Sequence, residues 1–391
     1  MASEIVQLAL LGVLAIICPL IARKTGVPCV VVEIAMGIVI GRSFLNLVQP
    51  DLPWFSFLFD FGLIYLLFLA GLEVELEFLK ENFFTSLLVG TAATLVPFLM
   101  GYALGKAIGV NPWLIGVVSS TTSVGVVLPT VLEMRHLLEV GGHSNPSFSD
   151  LLLGATAVSD MLSMFLLAFF VEGSNLSMDT IWVLLLLFLV LYPSYKLIKA
   201  YSRLTEKVQT LERRYHFSTR LSMVLMIIFA AMAEASGVHG VIGAFFAGVL
   251  VSELIYSSEY LLRNLASFGY ALFLPAFFLL TGVKVNVVDA ILKTNLWLLP
   301  GLIILSLLGK VLGVTVSARN VLGIKRSVVM GTIMWAKLSL VIAAAETGLR
   351  LGTIDDVLYS SLVLYSLVTA FGAPFLAKFL VNRWATGSEP E

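Results

Sequence analysis

The sequence sets one carboxylate in the middle of an apolar stretch: Asp160, within GATAVSDMLSMFLLAF, with Thr156, Ser159 and Ser163 around it. A charge at the centre of a bilayer costs at least ~2.5–3.5 kcal/mol on insertion scales, so an acid kept there is a functional candidate. The neighbouring hydroxyls supply oxygen, the ligand a hard cation prefers. A carboxylate withdrawn from water also binds a proton more readily. One such group can hold a proton or a cation in turn, which is the minimum chemistry of exchange between the two. The structural alternative is an aspartate neutralised by a nearby lysine.

The preceding apolar stretch contains SSTTSVGVVLPT, Ser119–Thr130. A dense Ser/Thr/Gly run ending in Pro129 makes a poor continuous helix, because proline removes an amide donor. Broken helices at the midplane expose half-helix ends and free carbonyls, and transporters build ion sites there. Two lysines lie at comparable depth, Lys310 in GKVLGV and Lys337 in GTIMWAKLSLVIAAAETG. Glu33, Glu133, Glu234, Glu253 and Glu346 fall nearer the ends of apolar stretches and read as interfacial or structural. The chain lacks HExxH, a Cys/His cluster, GxxxxGK[ST] and GxGxxG, which argues against a metal centre of those kinds and against ATP-driven pumping. Cys18 and Cys29 both sit in apolar blocks, so no disulfide framework is indicated.

These residues need elements that span a membrane. Only 13% of the 391 residues are charged, about half the share in a soluble domain. The apolar residues come in blocks that approach or exceed the roughly 20 residues needed to cross a bilayer. Thirteen spans are predicted, near 5–22, 28–48, 54–72, 83–108, 112–133, 149–172, 178–200, 217–235, 238–256, 265–284, 291–319, 326–349 and 357–383. The first carries Glu4 and no basic leader, so it reads as a span and not a cleaved signal. With the N-terminus outside, alternate loops hold seventeen of the 24 lysines and arginines, as the positive-inside rule requires. The C-terminus is then cytoplasmic, in a cell (inner) membrane. The charged stretch 196–216 reads as an amphipathic cytoplasmic linker between a first half, 1–195, and a second half, 217–391. Spans 4–6 and 11–13 carry polar interruptions in corresponding places, the pattern of an inverted repeat.

On these residues the chain resembles the monovalent cation/proton antiporters, in the branch of Kef-type potassium systems and bacterial Na+/H+ exchangers. GVPCVVVEIAMGIVIGRS is similar to the family's second span, and GLIYLLFLAGLEVELEFLK to its third-span signature. TTSVGVVLPTVLE resembles the unwound fifth span and LLLGATAVSD the carboxylate span that follows. AEASGVHGVIGAFFAGV and LFLPAFFLLTGVKV are similar to two later segments. The resemblance implies an all-α membrane protein of the Na+/H+ antiporter fold, with two inverted repeats whose broken helices cross. It also implies a homodimer in which a core bundle moves like an elevator. Asp160 would be the cation- and proton-binding aspartate, Thr121, Thr122 and Ser123 the unwound segment beside it, and Lys310 the basic residue of the eleventh span. The transported Na+ or K+ and H+ would be the ions held, with no cofactor, no ATP and no nucleic acid.

Two departures stand out. The residue before the aspartate is usually Asp, Asn or Gln in this family and is Ser159 here, so without a second carboxylate one cation per proton, an electroneutral exchange, is expected. The family's Arg-Gly-Glu in the twelfth span is replaced by Trp335, Ala336 and Lys337. Three readings of Lys337 are open: a charge balance for Asp160 or another acid, a second proton carrier, or a shift of selectivity away from cations. The last would make the chain a carrier of an anion or organic solute on the same fold.

Overall fold

The computed structural model describes residues 4–50, 52–72, 78–138, 148–172, 216–235, 240–255 and 259–385, and every regular element among them is helical. In chain order these are α1 (Glu4–Thr25), α2 (Cys29–Ile40), α3 (Pro53–Leu72), α4 (Phe78–Ile108), α5 (Pro112–Ser120), α6 (Val124–Leu138) and α7 (Phe148–Glu172). After the undescribed segment come α8 (Phe217–Ala235), α9 (Gly240–Ile255), α10 (Glu259–Phe268), a π-helical turn (Gly269–Phe273) and α11 (Leu274–Lys284). The chain finishes with α12 (Val287–Leu292), α13 (Leu298–Met334), α14 (Ser339–Arg350) and α15 (Asp356–Ala385).

Among the described residues nine helices are long and apolar enough to cross a membrane, and Cys29–Ile40 and Gly240–Ser252 are shorter apolar helices. α13 contains the eleventh span and the first half of the twelfth. The seventh span, 178–200, and almost all of the linker 196–216 lie outside the described residues. Polarity is distributed as a bilayer demands. Ile16, Leu20, Leu99, Val316 and Phe375 are exposed, while Thr94, Ser159, Lys310 and Lys337 are buried. Lipid accepts the first set and the protein interior must satisfy the second.

Several boundaries differ from expectation for local reasons. The second span is helical only to Ile40: Gly41 is extended, and Ser43 donates its hydroxyl to the Val285 carbonyl at 2.6 Å, tying the following loop to the end of α11. The eleventh span begins at Leu298, because Val287–Leu292 forms a separate helix capped by the Asn286 side chain. The separation expected between spans 291–319 and 326–349 is present: Gly323, at φ 76° and ψ 165°, breaks the helical path of α13 there. That backbone conformation is essentially confined to glycine.

The helices associate as two bundles. In the first, α4 packs against α5, α7 and α13, and α15 closes over α13, α14 and α6. In the second, α3 packs on α9 and α11, α2 on α1 and α11, and α8 on α9. Among the described residues, contacts between the two bundles are sparser, with α15 touching α2 and α11. Small residues set the approach within the first bundle. A side chain at Gly309 would strike Pro97 of α4, and one at Gly313 would strike the Ala92 carbonyl, so these glycines bring α13 against α4 with Lys310 between them in sequence.

Candidate ion site at two helix breaks

The first break lies between α5 and α6. α5 starts cleanly, with Pro112 at its first position and the Asn111 side chain accepting from the amides of Trp113 and Leu114. It ends at Ser120; Thr121, Thr122 and Ser123 are non-helical, and the Ser123 carbonyl accepts the amides of Val126 and Val127 to start α6. The interruption therefore falls before Pro129, which sits inside α6. Competition from the Ser/Thr hydroxyls for backbone groups accounts for it better than proline does: Ser120 Oγ donates to the Val117 carbonyl at 2.7 Å and Thr121 Oγ1 to that of Val118 at 3.1 Å.

A helix that stops inside a protein leaves its last carbonyls without helical partners and with partial negative charge. Two lysines answer that need here. Lys337 Nζ donates to the carbonyls of Ser119 at 2.7 Å and Thr121 at 2.5 Å. Lys310 Nζ donates to the carbonyl of Ser120 at 2.7 Å, to Thr122 Oγ1 at 2.6 Å and to Ser159 Oγ at 3.1 Å. Both lysines are fully buried. Asp160, half-buried on α7, lies within electrostatic reach of both ammonium groups.

Ser159 is a hub. Besides Lys310 it meets Thr122 Oγ1 at 3.0 Å and Thr94 Oγ1 at 2.9 Å, while Ser163, one helical turn on, lies 3.3 Å from Ser120 Oγ. Thr121, Thr122, Ser123, Ser159, Asp160, Lys310 and Lys337, gathered from four separate stretches of sequence, thus converge around one interruption. The hydrogen bonds of Lys337 to main-chain carbonyls add a role the sequence had not suggested: it caps the C-terminal end of α5.

The second break, Trp335–Leu338, separates α13 from α14 and carries Lys337. Residues not anticipated from the sequence hold it. Trp335 Nε1 donates to Ser306 Oγ at 2.9 Å, and the Tyr365 hydroxyl donates to the same oxygen at 2.7 Å. Thr369, one turn beyond Tyr365 on α15, donates to the Lys337 carbonyl at 3.2 Å. Thr94, Ser306, Tyr365 and Thr369 are uncharged polar residues in largely apolar helices; a polar group in a membrane-spanning sequence is the signal that could have marked them.

The sodium/hydrogen exchanger transmembrane family model matches residues 12–383. The chain is 31% identical to probable Na(+)/H(+) antiporter 3 of Methanocaldococcus jannaschii, over 93% of both proteins. It is 28% identical to a Na(+)/H(+) antiporter of Enterococcus hirae, over 93% of this chain and 94% of that one. It is 30% identical to the putative Na(+)/H(+) antiporter YjbQ of Bacillus subtilis over 97% of its own length, and spans 64% of that longer protein. In fold it is similar to the solved sodium proton antiporter MjNhaP1 of M. jannaschii, with TM-score 0.67 over 97% of each chain at 15% identity. With the family model covering nearly the whole chain and both helix interruptions in place, the chain belongs to the sodium/hydrogen exchanger family: it is a membrane cation/proton antiporter and not an enzyme.

Proposed function

We propose that the chain exchanges one Na+ or K+ for one proton, with Asp160 as the group that holds each in turn. The observation that carries this reading is the setting of Asp160. It follows Ser159 on α7, beside an interrupted helix whose carbonyl and hydroxyl oxygens face inward and are held by two ammonium groups. Those oxygens suit a hard monovalent cation. Lys310 and Lys337 compensate charge when the cation is away, and either can carry a proton. The ion gradients supply the energy, with no ATP and no cofactor.

The exchange is electroneutral in this reading, because Ser159 stands where a second carboxylate would add a charge. The bundle of α4–α7 and α13–α15 is the moving core. The sparser contact between bundles than within them, among the described residues, supports an elevator-like movement. The two interruptions belong to inverted repeats, spans 4–6 and 11–13. The working unit is a homodimer in the cell membrane, N-terminus outside and C-terminus cytoplasmic.

The test uses proteoliposomes with a trapped pH dye. Adding Na+, K+ or Li+ moves protons through the wild type, and Asp160→Asn abolishes the signal. An unchanged signal in that variant would remove Asp160 from the site. An imposed membrane potential leaves the rate unaltered if the exchange is one to one.

A further inference from the structure

Away from the ion site, four charged side chains cluster where the bundles meet. Glu346 and Arg350 lie one turn apart on α14 of the core bundle, and Arg350 Nε donates to Glu346 Oε1 at 3.0 Å. Lys284, at the end of α11 in the other bundle, donates to both oxygens of Glu346, at 3.2 and 3.4 Å. Asp60 of α3, also in that bundle, accepts from Arg350 Nη2. Glu346 is 3% exposed, whereas Lys284, Arg350 and Asp60 are 25%, 39% and 44% exposed. The cluster borders a recess of about 180 Å³ lined by Phe59, Asp60, Leu280, Lys284 and Arg350.

We propose that Asp60, Lys284, Glu346 and Arg350 form a breakable ionic latch that holds the core bundle in the position seen here. This rests on the reading of that bundle as the moving part. Two of the ion pairs, Lys284–Glu346 and Arg350–Asp60, cross between bundles and must part when α14 moves. The third, Glu346–Arg350, sits within one helix and travels with it, so the buried carboxylate keeps a cation. Lys284 also keeps a partner on its own side: its ammonium lies 3.6 Å from the centroid of the Phe59 ring, a cation–π contact made by α3 and α11 together. Asp60, the most exposed of the four, turns to water. Opening strands no charge, so the desolvation penalty that makes most buried pairs hard to break is avoided. The carboxylate at the centre is shielded enough for the pairs to favour the closed arrangement, while the half-exposed Asp60–Arg350 pair adds little resistance. The latch also sits on α14, the half-helix that begins just after Lys337, so its state is joined by one short rigid element to the second break.

The experiment places spin labels on Trp54→Cys of α3 and Leu351→Cys after α14, both partly or largely exposed, in a Cys18→Ser/Cys29→Ser background in lipid nanodiscs. Pulsed dipolar spectroscopy then reads the distance between bundles. Lys284→Gln raises the share of molecules outside the main wild-type distance at least three-fold, Asp60→Asn raises it by less, and Lys284→Arg, which keeps the charge, leaves the distribution as in the wild type. A Lys284→Gln distribution identical to that of the wild type would overturn the latch. A second arm tests the movement on which it rests, with Asp60→Cys and Arg350→Cys in the same Cys18→Ser/Cys29→Ser background. Bridging the pair by a short bis-methanethiosulfonate reagent, which forms two disulfides and releases methanesulfinate, stops exchange in proteoliposomes until a reductant cleaves the bridge. If the bridge stops exchange but neutralisation leaves the distances alone, the elevator stands and the latch fails. If bridged protein exchanges ions at the unbridged rate, the moving-core reading fails and the latch with it.

Discussion

The ammonium of Lys337 and the carbonyl oxygen of Ser119 lie 2.7 Å apart, although 218 residues separate them in the chain. This bond, with its companion to Thr121, joins the two helix interruptions into one unit. A lysine placed on the C-terminal end of a half-helix neutralises the partial negative charge gathered there. It also satisfies carbonyls of two buried residues.

Removing that cap has a predictable cost. Lys337→Met leaves the carbonyls of Ser119 and Thr121 buried with one donor fewer, and an unsatisfied buried polar group costs about 1–3 kcal/mol. The variant unfolds at lower temperature than the wild type in the same detergent, and its cation-driven proton movement is lost. A variant with wild-type melting would mean that the carbonyls find other donors.

Ser306 offers a finer comparison. Ser306→Ala strips the acceptor from both Trp335 Nε1 and the Tyr365 hydroxyl, while Tyr365→Phe leaves the Trp335–Ser306 bond intact. Each orphaned buried donor costs about 1–3 kcal/mol, so Ser306→Ala is the more destabilising. Thermal unfolding ranks the two. Because Trp335 borders the break that carries Lys337, Ser306→Ala also raises the cation concentration needed for half-maximal exchange, and Tyr365→Phe does so less.

Ser159→Asp would add a second carboxylate beside Asp160. If two protons are then exchanged for one cation, the cation-loaded and proton-loaded carriers differ in charge and an imposed membrane potential changes the exchange rate, in contrast to the one-to-one exchange proposed for the wild type. The pH dye reports both. A rate that stays indifferent to potential would show that the new acid remains protonated throughout the cycle.

At Gly323 the prediction concerns backbone alone. Gly323→Ala has open space for its methyl group, yet must adopt φ 76° and ψ 165°. Strain of this kind costs about 1–3 kcal/mol. The expected result is a lower melting temperature, with the half-maximal cation concentration unchanged.

The sequence carried most of the scaffold because lipid enforces a simple rule: long apolar helices with polar groups turned inward. Asp160, Ser159, Lys310 and the Thr121–Ser123 interruption were legible as polarity out of place. Lys337 was visible but its partners were not, since they are main-chain atoms of a distant segment and leave no mark in residue type. Ser306, Tyr365 and Thr369 were hidden for a related reason. A single hydroxyl in an apolar helix often bonds to its own backbone, and only the packing of α13 on α15 shows that these reach elsewhere. Pro129 marked the right span, and the chain unwinds at Thr121–Ser123 as the resemblance implied, with the proline itself inside α6.

The burial of Thr121, Thr122, Ser123 and Ser159, each 4% exposed or less, bears on how ions are told apart. An alkali cation reaching these oxygens arrives stripped of most of its hydration shell. Na+, K+ and Li+ share one charge and differ in how tightly they hold water. With the cation held as proposed, preference among them is set by dehydration, with the energy of removing each shell weighed against what the protein oxygens return.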